Sequence, residues 1–405
     1  MRLVGRLLLP LCLAGALLAA AVPSASAAEK SIWGPTGNFA GCGGSCFPIY
    51  AQLGVDNVQF QIPWDTVAPS RPANPRDPND PAYRWPAYAD FMVQQAAQHG
   101  MSLTVLVQGT PPWANGGKPR AWIPDNVQDY ADFMYAISSR YPTVHRWMVW
   151  GEVNYGANFQ PMPAHSPVGP RAYALLLDAA YAALKAANPN NIVIGGNTLN
   201  VDGPVSLPEF IQWLRIGEGK KAYPPRVDWF GHNPFEGRIP NLSYDAVRSN
   251  IGLSDADAMH KLLKSAYVGK KKKKRKRKAR RSAQVSHNVA EVAKKRCKKK
   301  RRASTAKRKK CKKKRRRSTP PLWFSEYTVL SGHGAHFWGG FHVSDQEQAA
   351  WVTAAYQLVN SVHYVKGLGW YRLDDEREAP GSANWGLIRF TGEHKASFGA
   401  YQAAP

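Results

Sequence analysis

The sequence predicts a (β/α)8 barrel, in which eight parallel strands close into a ring and helices surround it. Short apolar runs alternate along the chain with longer amphipathic stretches, which is the pattern of repeated βα units and a parallel sheet. Eight apolar runs of this kind occur. The length also fits, because about 330 residues remain once two atypical segments are set aside and a barrel typically needs ~250.

The eight predicted strands are rich in aliphatic and aromatic residues, the types that favour a buried parallel strand. In chain order they are residues 32–33, 57–62, 102–107, 146–150, 192–195, 227–232, 322–326 and 367–371. Five amphipathic stretches between them have apolar residues at helical spacing. These predicted helices are residues 87–99, 127–140, 170–187, 256–267 and 345–361.

The first 27 residues have the composition of an export signal. Two arginines precede an apolar run at 7–22, and small residues follow at 24–28, so we expect cleavage after Ala27. The run contains Pro10 and is short for a membrane-spanning helix. The mature protein is therefore expected to be secreted, extracellular or associated with the cell wall, and free of the membrane, with a retained anchor as the alternative.

Almost all of the net charge of +26 lies in one segment, residues 270–317. This segment holds 29 basic residues and a single acid, Glu291, whereas the rest of the chain has 25 basic and 27 acidic residues. Such a composition cannot form a core, so we expect a disordered insertion at 270–318 between barrel residues 28–269 and 319–405. The insertion is expected to bind anionic polymers by counterion release, but the balanced remainder excludes a generally nucleic-acid-binding protein.

Two of the five cysteines lie close together in a glycine-rich turn. Cys42 and Cys46 belong to the sequence GCGGSC, and in an exported chain this proximity predicts a disulfide. Two thiols without neighbouring histidines or further cysteines fall short of a zinc-binding set. We therefore predict no metal and no cofactor.

Two of the predicted strands end in a glutamate. The fourth strand, in RWMVWGEVNYG, leads directly to Glu152, and the seventh, in LWFSEYTVLS, ends at Glu326. Barrel enzymes carry their catalytic residues at the carboxyl ends of the strands, and the fourth and seventh strands face each other across the mouth. These two glutamates are therefore the candidate catalytic residues. The alternative is a pair of salt-bridged surface acids.

Polar and aromatic residues follow the other strand ends and are candidate contacts to a carbohydrate substrate. They are Trp64, Trp113, Asn197, His232, Tyr327 and Trp370. For Trp64 and Trp113 the alternative is packing at the barrel rim, for Trp370 it is core packing, and for His232 it is a purely structural histidine.

The two glutamate motifs resemble those of the clan A glycoside hydrolases, especially families 5 and 39, which include cellulase-like and β-xylosidase-like enzymes. The resemblance extends over nearly the whole mature chain outside the insertion. It implies a retaining mechanism on an oligo- or polysaccharide, with Glu152 as acid/base and Glu326 as nucleophile. It also implies that Trp370 forms the floor of the subsite next to the cleaved bond.

The sequence departs from the family pattern at two positions. Family members carry an asparagine before the acid/base that binds the sugar 2-hydroxyl, and here that position is Gly151. Either the substrate differs at C2, or another residue such as Asn197 replaces it, or activity is low. The His-x-Tyr pattern after the sixth strand is replaced by HNPF, which begins at His232. A catalytically weak carbohydrate-binding or cell-wall protein with a polyanion-binding insertion is therefore the alternative function.

Overall fold

The computed structural model describes residues 27–34, 42–201, 203–242, 250–269, 318–332, 342–376 and 384–405. The predicted export signal up to residue 26 and the basic segment 270–317 lie outside these ranges, so both remain predictions.

Eight parallel strands form a closed barrel, and each strand pairs with its neighbours in chain order. The last strand pairs with the first, which closes the ring. The strands are β1 Glu29–Trp33, β2 Asn57–Pro63, β3 Ser102–Gln108, β4 Arg146–Val149, β5 Ile192–Leu199, β6 Trp229–Asn233, β7 Leu322–Tyr327 and β8 Val365–Trp370. The predicted (β/α)8 fold class and all eight predicted strands are confirmed, with shifted ends.

Nine helices occur in the described ranges and lie outside the ring. They are α1 Phe47–Gln52, α2 Trp64–Val67, α3 Ala87–Gln98, α4 Val127–Arg140, α5 Val168–Ala187, α6 Leu207–Trp213, α7 Ala256–Tyr267, α8 Asp345–Asn360 and α9 Ala396–Ala403. Side chains fix several starts: Asn126 accepts a hydrogen bond from the Gln128 amide before α4, and Ser344 and Glu347 form a capping box at α8. No helix in these ranges is long and apolar enough to cross a membrane.

The strands are buried on both faces, which explains their apolar composition. Inside the ring, one small cluster consists of Trp33, Leu106, Met148, Ile194 and Trp323. A much larger cluster fills the layer between the ring and the helices. The predicted disulfide between Cys42 and Cys46 is present just before α1, with the two Cα atoms 4.9 Å apart.

The last residues of the described chain are fastened to the first strand. The hydroxyl of Tyr401 in α9 donates to the carbonyl oxygen of Ser31 at 3.0 Å. The ammonium of Lys30 donates to the carbonyl oxygen of Ala404 at 3.1 Å, and the backbone amide of Ala28 donates to Asn360 at 2.7 Å. The first two contacts join β1 to the last described residues independently of its pairing with β8, and the third joins the residue before β1 to the end of α8.

The interior of the ring is so tightly packed at Gly369 that no side chain fits there. A Cβ atom at this position would lie 2.1 Å from Nε2 of Gln59 and 2.2 Å from the carbonyl oxygen of Ser325. These two atoms are already hydrogen-bonded to each other at 2.7 Å. Relief of the contact would therefore require breaking a buried hydrogen bond or moving the backbone of β7.

We expect Gly369→Ala to lower the free energy of unfolding by about 1–3 kcal/mol or more, as overpacked cores do. Gly399→Ala is the matched control, because a Cβ there meets nothing within 4 Å and Gly399 lies inside α9. The control should gain about 0.5–1 kcal/mol from helix propensity. Urea unfolding of both variants measures the difference, and equal midpoints would contradict the packing argument.

Candidate active site

Glu152 lies at the mouth of the barrel on a turn with unusual backbone geometry. Trp150 and Glu152 both have positive φ, 63° and 49°, a conformation that costs a non-glycine residue about 1–2 kcal/mol. The surrounding structure holds this turn in place: the Trp150 indole is buried and donates to the carbonyl oxygen of Asn158 at 2.8 Å. Backbone strain maintained in this way is typical of functional sites.

The amide of Asn233, the last residue of β6, connects the two glutamates. Its Nδ2 donates to Oε1 of Glu152 at 3.2 Å, and its side chain also hydrogen-bonds Glu326 in β7. Its Oδ1 accepts a hydrogen bond from the Ser325 hydroxyl at 2.6 Å, which fixes the orientation of the amide. The other oxygen of Glu152 accepts from Asn158 Nδ2 at 2.6 Å. Both glutamates that the sequence selects therefore belong to one hydrogen-bonded site.

Burial and mutual repulsion dominate the electrostatics of this pair. Burial raises the pKa of Glu152, while the hydrogen bonds from Asn233 and Asn158 act in the opposite direction. Burial, and then the charge of Glu152, raise the pKa of Glu326 to about 8. Two carboxyls that interact this strongly do not both ionise near neutrality, so the pair shares one proton.

The hypothesis that His232 contacts substrate is wrong. The ring is fully buried, Nδ1 lies 2.9 Å from the Thr198 hydroxyl, and Nε2 lies 2.8 Å from the carbonyl oxygen of Ile251. Burial lowers the pKa of His232 to about 4, so the ring is neutral. A neutral ring that accepts from Thr198 and donates to Ile251 has no hydrogen-bonding capacity left.

The aromatic candidates pack within the protein. Trp64 is 1% exposed and lies against Trp113 and two further aromatic rings of the core. Trp113 is partly buried, and its indole donates to the carbonyl oxygen of Ala68 at 2.7 Å. Trp370 and Tyr327 have no exposed surface and pack edge to face. The expected substrate contacts of Trp64, Trp370 and Tyr327 are therefore wrong, because these rings lie in the layer between ring and helices.

Asn197 also has a structural role rather than a substrate contact. It is 2% exposed, and its Nδ2 donates to the carbonyl oxygen of Trp150 at 2.6 Å. The amide therefore supports the turn that carries Glu152 and cannot replace the missing asparagine at Gly151. The prediction of a substrate contact at Asn197 is wrong for this reason.

Three residues of the site were not among the predicted site residues: Asn158, Asn233 and Gln108. Gln108 is the last residue of β3, and its Oε1 accepts a hydrogen bond from the backbone amide of Gly151 at 3.1 Å. Gln108 and Asn233 both end strands, and this position was the signal that could have identified them. Asn158 offered no such signal, since it lies in a loop.

A cavity of about 430 Å3 lies at the same end of the barrel. Residues that follow β5, β6, β7 and β8 line it, among them Asn200, Glu236, Thr328 and Trp385. Burial raises the pKa of Glu236 to about 7. The described residues contain no group of three or more His, Cys, Asp or Glu side chains that could hold a metal ion.

Several solved structures of glycoside hydrolases are similar to this chain in fold. A family 39 glycoside hydrolase from the gut symbiont Bacteroides cellulosilyticus WH2 matches with a TM-score of 0.59 and 15% identity, over 93% of this chain and 63% of that one. A glucosidase from Croceicoccus marinus matches with a TM-score of 0.59 and 14% identity, over 93% and 65%. A monomeric β-xylosidase from Caulobacter crescentus CB15 matches with a TM-score of 0.55 and 16% identity, over 94% and 69%.

This chain therefore spans somewhat less than two thirds of the length of the first two enzymes. At these identities the likeness concerns the fold alone. The fold that the resemblance of the two glutamate motifs implied is confirmed. No protein-family model and no curated protein matches the sequence.

Proposed function

We propose that the protein is an exported retaining glycoside hydrolase that acts on β-glycosides, with Glu152 as acid/base and Glu326 as nucleophile. The observation that carries the proposal is the amide of Asn233, which hydrogen-bonds both buried carboxyls at the carboxyl ends of β4 and β7. A pair of surface salt bridges would have cationic partners instead. In the described residues, neither glutamate pairs with a lysine or arginine.

The reaction proceeds in two displacements. Glu152 donates its proton to the glycosidic oxygen while the carboxylate of Glu326 attacks the anomeric carbon, and the bond to the leaving group breaks. Glu152, now a carboxylate, then takes a proton from water, which attacks the same carbon and releases Glu326. The first step needs one proton on the pair, which is the charge state that their mutual repulsion favours, and the second step restores it from water.

The proton that the two carboxyls share belongs to the pair. Burial raises the pKa of Glu152 against two amide hydrogen bonds, and burial and then the charge of Glu152 raise the pKa of Glu326 to about 8. The reactive form has the shared proton on Glu152, and a transfer within the pair changes no net charge.

The names of the solved neighbours support a proposal for the substrate class. The solved neighbours are described as a glucosidase and a β-xylosidase, so we expect β-linked glucose or xylose units in an oligo- or polysaccharide. The cavity of about 430 Å3 lies at the same end of the barrel, but neither Glu152 nor Glu326 lines it, so the proposal does not rest on it. Hydrolysis of aryl β-glycosides and plant or microbial polysaccharides tests the proposal, with product configuration followed by NMR.

Turnover with retained configuration is the expected result of this experiment. Inversion would exclude the double displacement. Sugar binding without turnover would favour the alternative of a carbohydrate-binding or cell-wall barrel protein.

The basic segment 270–317 is proposed to hold the enzyme on an anionic polymer. We expect that replacing it by a Gly/Ser linker of equal length abolishes retention on a heparin column, because the remainder of the chain has slightly more acidic than basic residues. Hydrolysis of small aryl glycosides should be unchanged. Retention at the same salt concentration would contradict the polyanion proposal, and loss of folding would contradict the interpretation as an appended insertion.

A further inference from the structure

Gln108 lies beside the acid/base and holds an amide donor without an acceptor. Its Oε1 is 3.1 Å from the backbone nitrogen of Gly151, the residue directly before Glu152. In the described part of the chain, Nε2 of Gln108 makes no hydrogen bond, and the side chain is partly exposed at the mouth. Because Oε1 is fixed by Gly151, the orientation of the Nε2 donor is fixed as well.

The other amides near the two carboxyls are already engaged. Asn158 and Asn233 donate to Glu152, and Asn197 donates to the carbonyl oxygen of Trp150. A sugar whose anomeric carbon lies between the carboxyls has its 2-hydroxyl one carbon further on. Hydrogen bonds to this hydroxyl strengthen in the transition state of glycoside hydrolysis. Among these four amides, Gln108 is the one whose nitrogen makes no hydrogen bond within the described residues.

We propose that Gln108 is a substrate-binding residue that donates a hydrogen bond from Nε2 to the 2-hydroxyl of the sugar at the cleaved bond. This inference rests on the proposed glycosidase function and adds a specificity determinant to it. It also predicts that the substrate carries a free 2-hydroxyl, as glucose and xylose units do.

The glycine at position 151 leaves space for the side chain of Gln108. A Cβ atom at Gly151 would lie 3.0 Å from Oε1 of Gln108 and 3.1 Å from Cδ2 of Leu106, closer than ordinary packing allows. A side chain on residue 151 would therefore displace the Gln108 amide. The absence of a side chain at Gly151 is what allows β3 to supply the amide next to the acid/base.

The test is a cycle that combines removal of the amide with removal of the hydroxyl. We expect Gln108→Ala to lower kcat/KM for the best aryl β-glycoside on the order of 10- to 100-fold, and for its 2-deoxy analogue less than about threefold. A merely structural role would lower both values equally. Gln94→Ala, at an exposed position on α3, is the control and should change neither. Equal losses on both substrates, or a wild-type protein that does not discriminate between them, would overturn the proposal.

A second pair of variants tests the complementarity with Gly151. Gly151→Asn alone should lower kcat/KM, because the new side chain displaces Gln108. The double variant Gly151→Asn with Gln108→Ala should recover discrimination for the 2-hydroxyl, since it removes the clash and returns an amide to the same place. A double variant no better than Gln108→Ala would contradict this geometry.

Binding measurements separate this inference from the glycosidase proposal. The affinities of a non-hydrolysable thioglycoside and its 2-deoxy analogue need no turnover, so the same cycle can be run by calorimetry. If the wild type binds but does not hydrolyse, the catalytic proposal fails, and a loss of the 2-hydroxyl preference in Gln108→Ala still supports the hydrogen bond. If neither sugar binds, the Gln108 proposal fails as well.

Discussion

Replacing Glu326 by alanine is expected to lower kcat for an aryl β-glycoside on the order of 10^5-fold, as removal of an enzymatic nucleophile does. Without this carboxylate no covalent intermediate forms at the anomeric carbon. Azide fits the space that the side chain leaves and attacks from the same face, so it should restore turnover. The product should be a glycosyl azide of inverted configuration, and NMR of the product measures it.

Two matched variants test whether the loss of activity in Glu326→Ala comes from the missing nucleophile and not from a change in the fold. Glu326→Gln keeps the shape of the side chain, and Glu393→Gln changes a glutamate that is 70% exposed. Because burial raises the pKa of Glu326 to about 8, its ionised form is costly in the folded protein, and this cost grows as pH rises from about 4.5 to 8. Glu326→Gln should therefore be at least as stable as the wild type above pH 8. More than about a tenth of wild-type activity in Glu326→Gln would exclude the nucleophile role.

Replacing Glu152 by alanine is expected to lower kcat/KM for substrates with poor leaving groups on the order of 10^2- to 10^4-fold, the usual contribution of a general acid. Dinitrophenyl glycosides need no protonation, so their first displacement should be nearly unchanged. Azide should then accelerate the second displacement and give a product of retained configuration, opposite to that of the Glu326 variant. Parallel assays with both leaving groups measure the difference.

The pH profile of this variant provides an independent check. The wild type loses its shared proton at high pH, which should produce an alkaline limb, and Glu152→Ala should lack that limb with dinitrophenyl substrates. The acidic limb should change little, because Glu326 ionises there while Glu152 is still protonated and carries no charge. An unchanged profile would show that Glu152 is not the acid/base.

The strand ends show which parts of the fold local sequence determines. The start of β1 at Glu29 was missed because Glu29 and Lys30 are charged and do not look like a buried strand. The structure provides partners far away in the chain: the guanidinium of Arg146 donates to Glu29 at 2.8 Å, and Lys30 reaches the carbonyl oxygen of Ala404. Such compensation is invisible in a local window.

The end of β5 was missed for a different reason. The sequence Gly-Gly-Asn after Ile194 has the composition of a turn, so the strand was predicted to end at Gly195. The structure instead continues the strand to Leu199 through a bulge, with φ of 91° at Gly196 and 40° at Asn197. The bulge directs Asn197 towards the backbone of Trp150, which explains why the site prediction for it failed.

The two glutamates could be identified as site residues because their positions at the ends of strands are enough to place them at the barrel mouth. The roles of the aromatic side chains depend in addition on which face of the strand they occupy. In β8, a Cβ atom at Gly367 would meet Trp323, and one at Gly369 would meet Gln59, so these glycines face the inside of the ring. Side chains alternate along a strand, and Trp370 therefore faces the helices. The alternation of side chains along β8 can be read from the sequence. Which of the two sets faces the inside of the ring cannot, because that depends on how β8 pairs with its neighbours.

The fastening of the chain end onto β1 affects the order of biosynthesis. The contact between Tyr401 and Ser31 joins residues 370 positions apart, and contacts of such separation form late and slowly. A nascent chain cannot complete this contact until Tyr401 has left the ribosome. If the protein is exported as proposed, the part of the chain that enters the export machinery before Tyr401 is synthesised therefore lacks this contact.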